Sequence, residues 1–199
     1  MNKLVIFDLD GVLFESRDMH YVALNRALMF FGYKPISVED HATKYNGLPT
    51  IEKLKMLGFE DYKMQDVIQE RKQHYTREWL SKNVHLDHGL IRLFSDLRAA
   101  DYRIAVASNA VKETVLAGLK ALGLSRFGVW TYSPDMGLKN KPDPALFFRA
   151  MADTEADPTT TIIIEDSVPG LEAARATGAK VIEVKGPYEV VSRVRKECL

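Results

Sequence analysis

The run Lys3-Leu4-Val5-Ile6-Phe7-Asp8-Leu9-Asp10-Gly11-Val12-Leu13 decides the fold. Its first half is a short unbroken apolar stretch, which suits a strand covered on both faces. It ends in acid. Side chains alternate along a strand, so Asp8 and Asp10 project to one side at its carboxyl end while Leu9 turns back toward packing. Gly11 then lets the chain turn sharply. Two neighbouring carboxylates repel unless a cation or a proton lies between them, so the pair implies a metal, a shared proton or both. The same residues also suit an ordinary Asp-Gly turn, and the rest of the chain has to decide between the readings.

Further β-type runs follow at Tyr102 to Ser108, Gly128 to Tyr132, Thr160 to Glu165 and Lys180 to Val184. Helical patterns separate them. Leu90, Leu93, Phe94 and Leu97 recur at i, i+3, i+4, i+7 within Gly89 to Ala100, and Val111, Val115, Leu119 and Leu122 mark a helix that Gly123 stops. This βαβα order predicts an α/β fold, a Rossmann-like doubly wound parallel sheet of about five core strands with ligands at the strands' carboxyl ends.

Between Phe14 and Asn83 the rhythm changes, with no convincing strand. Ser16 is placed to cap a first helix, Thr50 to Leu57 form a short one ended by Gly58, and Met64, Ile68, Tyr75 and Trp79 line a longer one. Roughly seventy residues of helix after the first strand far exceed a βα loop of about 2 to 6 residues. The expected organisation is therefore a core of residues 1–13 and 84–199 with an inserted helical cap of residues 14–83.

Bulk composition narrows the classes of function. Basic and acidic residues balance at 27 each, so no electrostatic footprint favours nucleic acid or an anionic membrane as the main partner. Any phosphate must be held locally. The single cysteine, Cys198, excludes an intramolecular disulfide, and the apolar run Leu4 to Phe7 is too short for a signal peptide or a membrane span. The expected compartment is the cytoplasm.

Three more sites carry candidate chemistry. Ser108-Asn109 closes the second strand, where a hydroxyl, an amide and backbone N–H groups can meet phosphate oxygens, or cap the helix that follows. Lys141-Pro142-Asp143-Pro144 opens the helix containing Phe147, Ala150 and Met151; alone, Lys141 reads as a solvated surface charge. Glu165-Asp166-Ser167 ends the fourth strand, with Gly170 in the next turn, and by itself suits a helix cap. All of them lie at carboxyl ends of successive core strands or just before the following helix, which makes coincidence the weaker reading.

The ordered set DxDGV, S-N, K-P-D-P and E-D-S-x-x-G resembles the haloacid dehalogenase-like hydrolase superfamily, in its branch with a helical cap after the first strand, over essentially the whole chain. The resemblance implies a Mg²⁺-dependent phosphatase acting on a small phosphorylated metabolite. It assigns Asp8 as nucleophile and Asp10 as general acid and base. Ser108, Asn109 (through its backbone) and Lys141 become phosphate ligands. Asp8, the Asp10 carbonyl and Asp166 become metal ligands, with Glu165 a direct or water-bridged member of the shell. Physically, a carboxylate attacking a phosphate dianion meets like-charge repulsion, which a cation bridging both and a lysine across the site would remove. An aspartate two residues after the nucleophile fits ester chemistry.

In the cap, His20 resembles a histidine that sugar phosphomutases use, with a solvated helix face as the plain alternative. Asn46 to Thr50 resembles the substrate-specificity loop of this branch, where mutases usually carry an arginine at the place of Thr50. Lys44, Lys53 and Arg71 are the cations available to replace it. His85 and His88 look like a zinc pair but read as surface or capping residues, and Trp79 and Trp130 read as packing. The leading expectation is a phosphatase, the same-machinery alternative is a sugar phosphomutase, and a silent binding protein is disfavoured by the intact acidic set.

Overall fold

Five parallel strands form one sheet in the order β3-β2-β1-β4-β5: β1 Lys3–Phe7, β2 Tyr102–Ala107, β3 Trp130–Tyr132, β4 Thr161–Glu165 and β5 Lys180–Glu183. The structure, a computed structural model, describes residues 2–45 and 48–199. By their contacts the residues fall into two compact units, Met1–Glu15 with Val84–Leu199, and Ser16–Asn83. No helix among the described residues is long and apolar enough to cross a membrane.

In the first unit, β1 lies at the centre with Val5 paired to Ile104 on one side and to Ile162 on the other. Leu4, Val5, Ile6 and Phe7 are fully buried, as a strand covered on both faces requires. One face carries Leu4, Ile6, Ala105, Ala107, Tyr132 and Ile163 against Leu146, Phe147, Ala150 and Met151 of α7 (Ala145–Asp153) and Ala173 and Ala174 of α8 (Val168–Ala176). On the other, Phe7 stacks on Phe94 of α5 (His88–Ala99), with centroids 5.0 Å apart. Helices α6 (Lys112–Ala121) and α9 (Pro187–Cys198) complete the unit. The chain runs outward from β1 to β2 and β3, then returns to β4 on the opposite side, so the β1/β4 boundary is a topological switch point.

The Ser16–Asn83 unit holds α1 (Arg17–Phe30), a short α2 (Val38–Asp40) continued by a π turn at His41–Tyr45, α3 (Thr50–Met56) and α4 (Tyr62–Asn83). Leu24, Ala27, Leu28, Ile36, Leu54 and Ile68 form its core.

Local expectations are met in some places and corrected in others. Ser16 precedes α1 but its side chain makes no capping bond, because its near-helical backbone carries the hydroxyl away from the first-turn amides. On α4, Ile68 is in the core with Met64 and Tyr75 packed against it, as expected, but the other buried positions are the polar Gln65, Lys72 and Thr76 with Leu80, and Trp79 is half-buried. Trp130 does not pack: it is 44% exposed, since β3 is an edge strand with a neighbour on one side only. His85 and His88 are exposed, and the helix start there is capped by Asp87, which accepts from the Leu90 amide at 2.9 Å.

Candidate active site

Each strand end delivers its residue for a local reason. The Asp8 amide donates to the Ile164 carbonyl at 3.0 Å, which extends the β1/β4 pairing by one residue and holds Asp8 at the switch point. The chain then folds back, with the Gly11 amide on the Phe14 carbonyl at 2.9 Å. Gly11 has φ +77°, and a Cβ there would lie 2.1 Å from Asp166 Oδ2, so backbone and space both demand glycine. Asp10 is half-buried on this turn, and its charge acts on both Asp8 and Asp166.

Lys141 is buried, not the surface charge its sequence context alone suggests. A hydrated ammonium is costly to bury without partners, and three acceptors replace its water. Its Nζ donates to Asp8 Oδ1 at 2.6 Å, to the Ala107 carbonyl at 2.7 Å and, in a very short contact, to Glu165 Oε1. Asn109 braces the lysine's backbone: its Oδ1 accepts from the Lys141 amide at 2.8 Å and its Nδ2 donates to the Lys141 carbonyl at 3.2 Å. The Asn109 side chain is thus engaged with protein. Ser108 is buried, with its amide on the Tyr132 carbonyl at 3.1 Å and its Oγ accepting from the Ala110 amide at 3.0 Å. Neither Ser108 nor Asn109 caps α6. Asp135 takes that place, accepting from the Lys112 amide at 3.1 Å and 3.2 Å.

Glu165 is fully buried and grips in two directions. One oxygen meets Lys141; the other accepts from the Asp166 amide and the Ser167 hydroxyl, each at 3.2 Å, at the start of α8. Gly170 makes room for it, since a Cβ there would sit 2.2 Å from that carboxylate. Capping of α8 itself falls to Ser167, whose Oγ accepts from the Gly170 amide.

The electrostatics are unbalanced. The ammonium of Lys141 meets Asp8 and Glu165 directly, and its charge also acts on Asp166. Burial, then the Glu165 charge, raise Asp8 well above the usual carboxylate range, with Lys141 opposing and Asp10 adding. Asp166 is pushed up to about 6, by burial first and Glu165 second. For Lys141, burial works against the charge, but Asp8 and Glu165 outweigh it and raise its pKa. Such a site calls for another cation. Asp8, Glu165 and Asp166 each offer an oxygen within 4.8 Å of the others. Asp166 Oδ1 is buried without a hydrogen-bond partner, beside the space that Gly11 leaves open. An all-oxygen donor set of this kind suits a hard divalent cation.

The structure therefore brings together Asp8, Lys141, Glu165 and Asp166, and ties Asn109 to Lys141. The Ala107 carbonyl and Asp135 went unnoticed in the sequence; backbone acceptors and remote caps leave no local signal. In the cap, His20 lies half-buried on α1 and Thr50 opens α3, whereas Asn46 falls outside the described residues.

Comparison with known proteins bears on the family and the fold. Over 188 residues the chain is 26% identical to a phosphorylated carbohydrates phosphatase of Thermotoga maritima, a match covering 90% of this chain and 83% of the relative. CbbY from Rhodobacter sphaeroides, solved in complex with phosphate, shares the fold at a TM-score of 0.81 and 24% identity, covering 94% of this chain and 87% of that one. A β-phosphoglucomutase from Clostridium difficile does so at 0.75 and 23%, covering 97% and 88%. The haloacid dehalogenase-like hydrolase model matches residues 5–184. With so much of its length accounted for, core and insertion alike, the chain belongs to the haloacid dehalogenase-like hydrolase family.

Proposed function

We propose that the protein is a Mg²⁺-dependent phosphatase of small phosphorylated metabolites that works through phosphoryl transfer to Asp8. The observation that carries this reading is the Asp8–Lys141 contact at 2.6 Å, set at the switch point among three further carboxylates. A phosphatase of phosphorylated carbohydrates among the relatives supports the substrate class. Cytoplasmic residence goes with such substrates and with the single cysteine.

In this reading an Asp8 oxygen attacks phosphorus, the bond from phosphorus to the ester oxygen breaks, and Asp10 supplies the proton that the departing alkoxide takes up. Asp10 then accepts a proton from water as that water attacks the aspartyl phosphate, releasing inorganic phosphate and restoring Asp8. Lys141 keeps the Asp8 oxygen in place and offers positive charge to the transferring group, and Ser108 offers its hydroxyl. Asp8, the Asp10 carbonyl and Asp166 would hold the ion, with Glu165 directly or through water. When bound, Mg²⁺ offsets the repulsion between carboxylate and phosphate.

Phosphate release from a panel of phosphorylated metabolites tests the assignment. Asp8→Asn should lose nearly all turnover with the fold intact, and EDTA should abolish activity that Mg²⁺ restores. Turnover by the variant above a few per cent of wild type removes Asp8 from the mechanism.

A second reading, sugar phosphomutase, draws support from the cap. Thr50 stands where an arginine would hold a second phosphate, yet Lys53, one turn on, is buried and is a candidate to replace it. Incubating β-glucose 1-phosphate with catalytic glucose 1,6-bisphosphate separates the two: isomer forming faster than free phosphate would overturn the phosphatase assignment.

A further inference from the structure

Within the Ser16–Asn83 unit, an open cavity of about 370 Å³ lies where the turn after α1 meets the loop between α3 and α4. Its size is at the lower end of the range for small-molecule sites, about 300 to 1000 Å³. Tyr33, Leu57, Phe59 and Met64 make its walls, with Glu60 and Asp61 beside them. The loop is shaped before any ligand arrives. Gly58, with φ +87°, ends α3, its amide on the Lys55 carbonyl at 2.9 Å and the Phe59 amide on the Leu54 carbonyl at 3.0 Å. Buried Gln65 of α4 ties down the rest: its Nε2 donates to the Phe59 carbonyl at 2.6 Å and its amide to the Asp61 carbonyl at 3.0 Å. Opposite, the Tyr33 amide donates to the Leu28 carbonyl at 3.0 Å. The Tyr33 ring stands edge-on to Phe59, with centroids 4.7 Å and planes 85° apart. A ligand therefore meets walls that cost little to order.

Every charged group in this lining is negative. Glu60 and Asp61 are exposed carboxylates. One Asp61 oxygen accepts from the Lys63 amide at 2.9 Å, while the Glu60 side chain has no hydrogen bond or ion pair among the described residues. The faces of the two rings add partial negative charge of their own. Elsewhere the unit seats its own cations on rings, with the Arg71 guanidinium 3.9 Å from the Phe30 centroid and that of Arg26 4.1 Å from Tyr75. Among the described residues no cation takes that place at Tyr33 or Phe59, and Lys34 and Lys63, their neighbours in the chain, do not line the cavity. A small hard ion does not suit these walls, because Leu57, Phe59 and Met64 cannot replace its water. A weakly hydrated organic cation gives up little water and gains both the rings and the carboxylates.

We propose that this cavity binds a small quaternary ammonium compound, with the charged head against Tyr33 and Phe59 and its charge answered by Glu60 and Asp61. Such a head carries its charge on a methyl-covered surface, which matches an aromatic wall with acids at its side. The cavity's volume is that of a small-molecule site, so the occupant is a free compound.

The test titrates the full-length protein with choline at constant ionic strength while the Met64 methyl resonance is followed by NMR. The companion probe is choline's uncharged isostere, in which a tert-butyl group replaces the trimethylammonium. Choline should move Met64 saturably and bind about fivefold or more tightly than the isostere. Tyr33→Leu, which removes one ring, and Glu60→Gln, which removes one charge, should each weaken choline binding about threefold or more. Tyr33→Phe, which keeps the ring, and Lys34→Gln, outside the lining, should bind as wild type does. Both Tyr33 and Glu60 are exposed, so the variants should melt with wild type, which separates loss of binding from loss of fold. An unresponsive Met64, equal affinity for the isostere, or undiminished binding in either Tyr33→Leu or Glu60→Gln overturns the site. A trimethyllysine peptide supplies the last arm. Binding no tighter than choline's supports a free compound as occupant, whereas binding at least tenfold tighter overturns that assignment in favour of a protein side chain.

Discussion

At the scale of single residues, the site depends on how a lysine is aimed. Lys141 and Asp8 are 133 positions apart in the chain, and their 2.6 Å contact requires the loop carrying Lys141 to be held closely. Asn109 does this by pairing with both the amide and the carbonyl of Lys141, as one strand of a sheet would. Truncating it leaves those two groups without their partner and lets Nζ wander. Small misplacements of catalytic groups cost about a hundredfold in rate. Asn109→Ala should therefore lower kcat between about ten- and a hundredfold, with a smaller change in KM, in steady-state phosphate release. An effect confined to KM would mark Asn109 as a simple phosphate ligand instead.

At the scale of elements, each helix is stabilised less by propensity than by what its ends and faces touch. The turn after α1 shows this well. Buried Asn25 accepts from the Ile36 amide at 2.8 Å and donates to the Ile36 carbonyl at 2.9 Å, pinning to the helix a segment that would otherwise leave two backbone groups unsatisfied. Net hydrogen bonds contribute modestly, but orphaned buried groups are expensive. Asn25→Ala should thus cost about 2 kcal/mol, read as a shift of the urea midpoint for the cap signals, such as Trp79 fluorescence. A change below about 0.5 kcal/mol would show that water replaces the amide without loss.

For the molecule as a whole, the two units carry opposite electrostatic debts that a balanced total of 27 basic and 27 acidic residues conceals. The Met1–Glu15 and Val84–Leu199 unit crowds carboxylates; the Ser16–Asn83 unit buries cations. Acid acts on them in opposite directions. The folded pKa of Asp166, raised to about 6, means that its proton is held more tightly in the folded form, so its contribution improves as pH falls from about 6 toward 3.8. The folded pKa of His41, lowered from 6.5 to about 4, means the reverse. Above pH 6.5 its full contribution is present; between about 6.5 and 4 the unfolded chain takes up a proton that the folded form refuses, and stability is lost. Metal-free protein should show amide exchange in the cap quickening relative to the core between pH 7 and 4.5, after correction for intrinsic rates. His41→Phe should remove a cap destabilisation of about 2 kcal/mol at pH 4.5; identical acid responses in the two proteins would refute the assignment.

Much of this architecture is local in origin and was therefore readable. Strand alternation places Asp8 and Asp10 together, and apolar runs separated by helical periods specify a parallel sheet. The acids and the serine then fall at the strand ends, and the lysine in the loop ahead of α7, in the order the chain sets. What the sequence could not determine is which polar groups lose their water. Lys141 by itself reads as a surface charge although it is buried, the side chain of Asn109 gives no local sign that it pairs with the backbone of Lys141, and Lys53, one of the cations available in the cap, gives no local sign that it is buried. The spacing of Gln65, Ile68, Lys72, Thr76 and Leu80 carried a faint helical period, but with polar residues in place of apolar ones it did not announce an inner face. Burial and long-range pairing depend on elements far apart in the chain, and a local period holds no information about them; that is why the tertiary structure alone decided how the lysines are used.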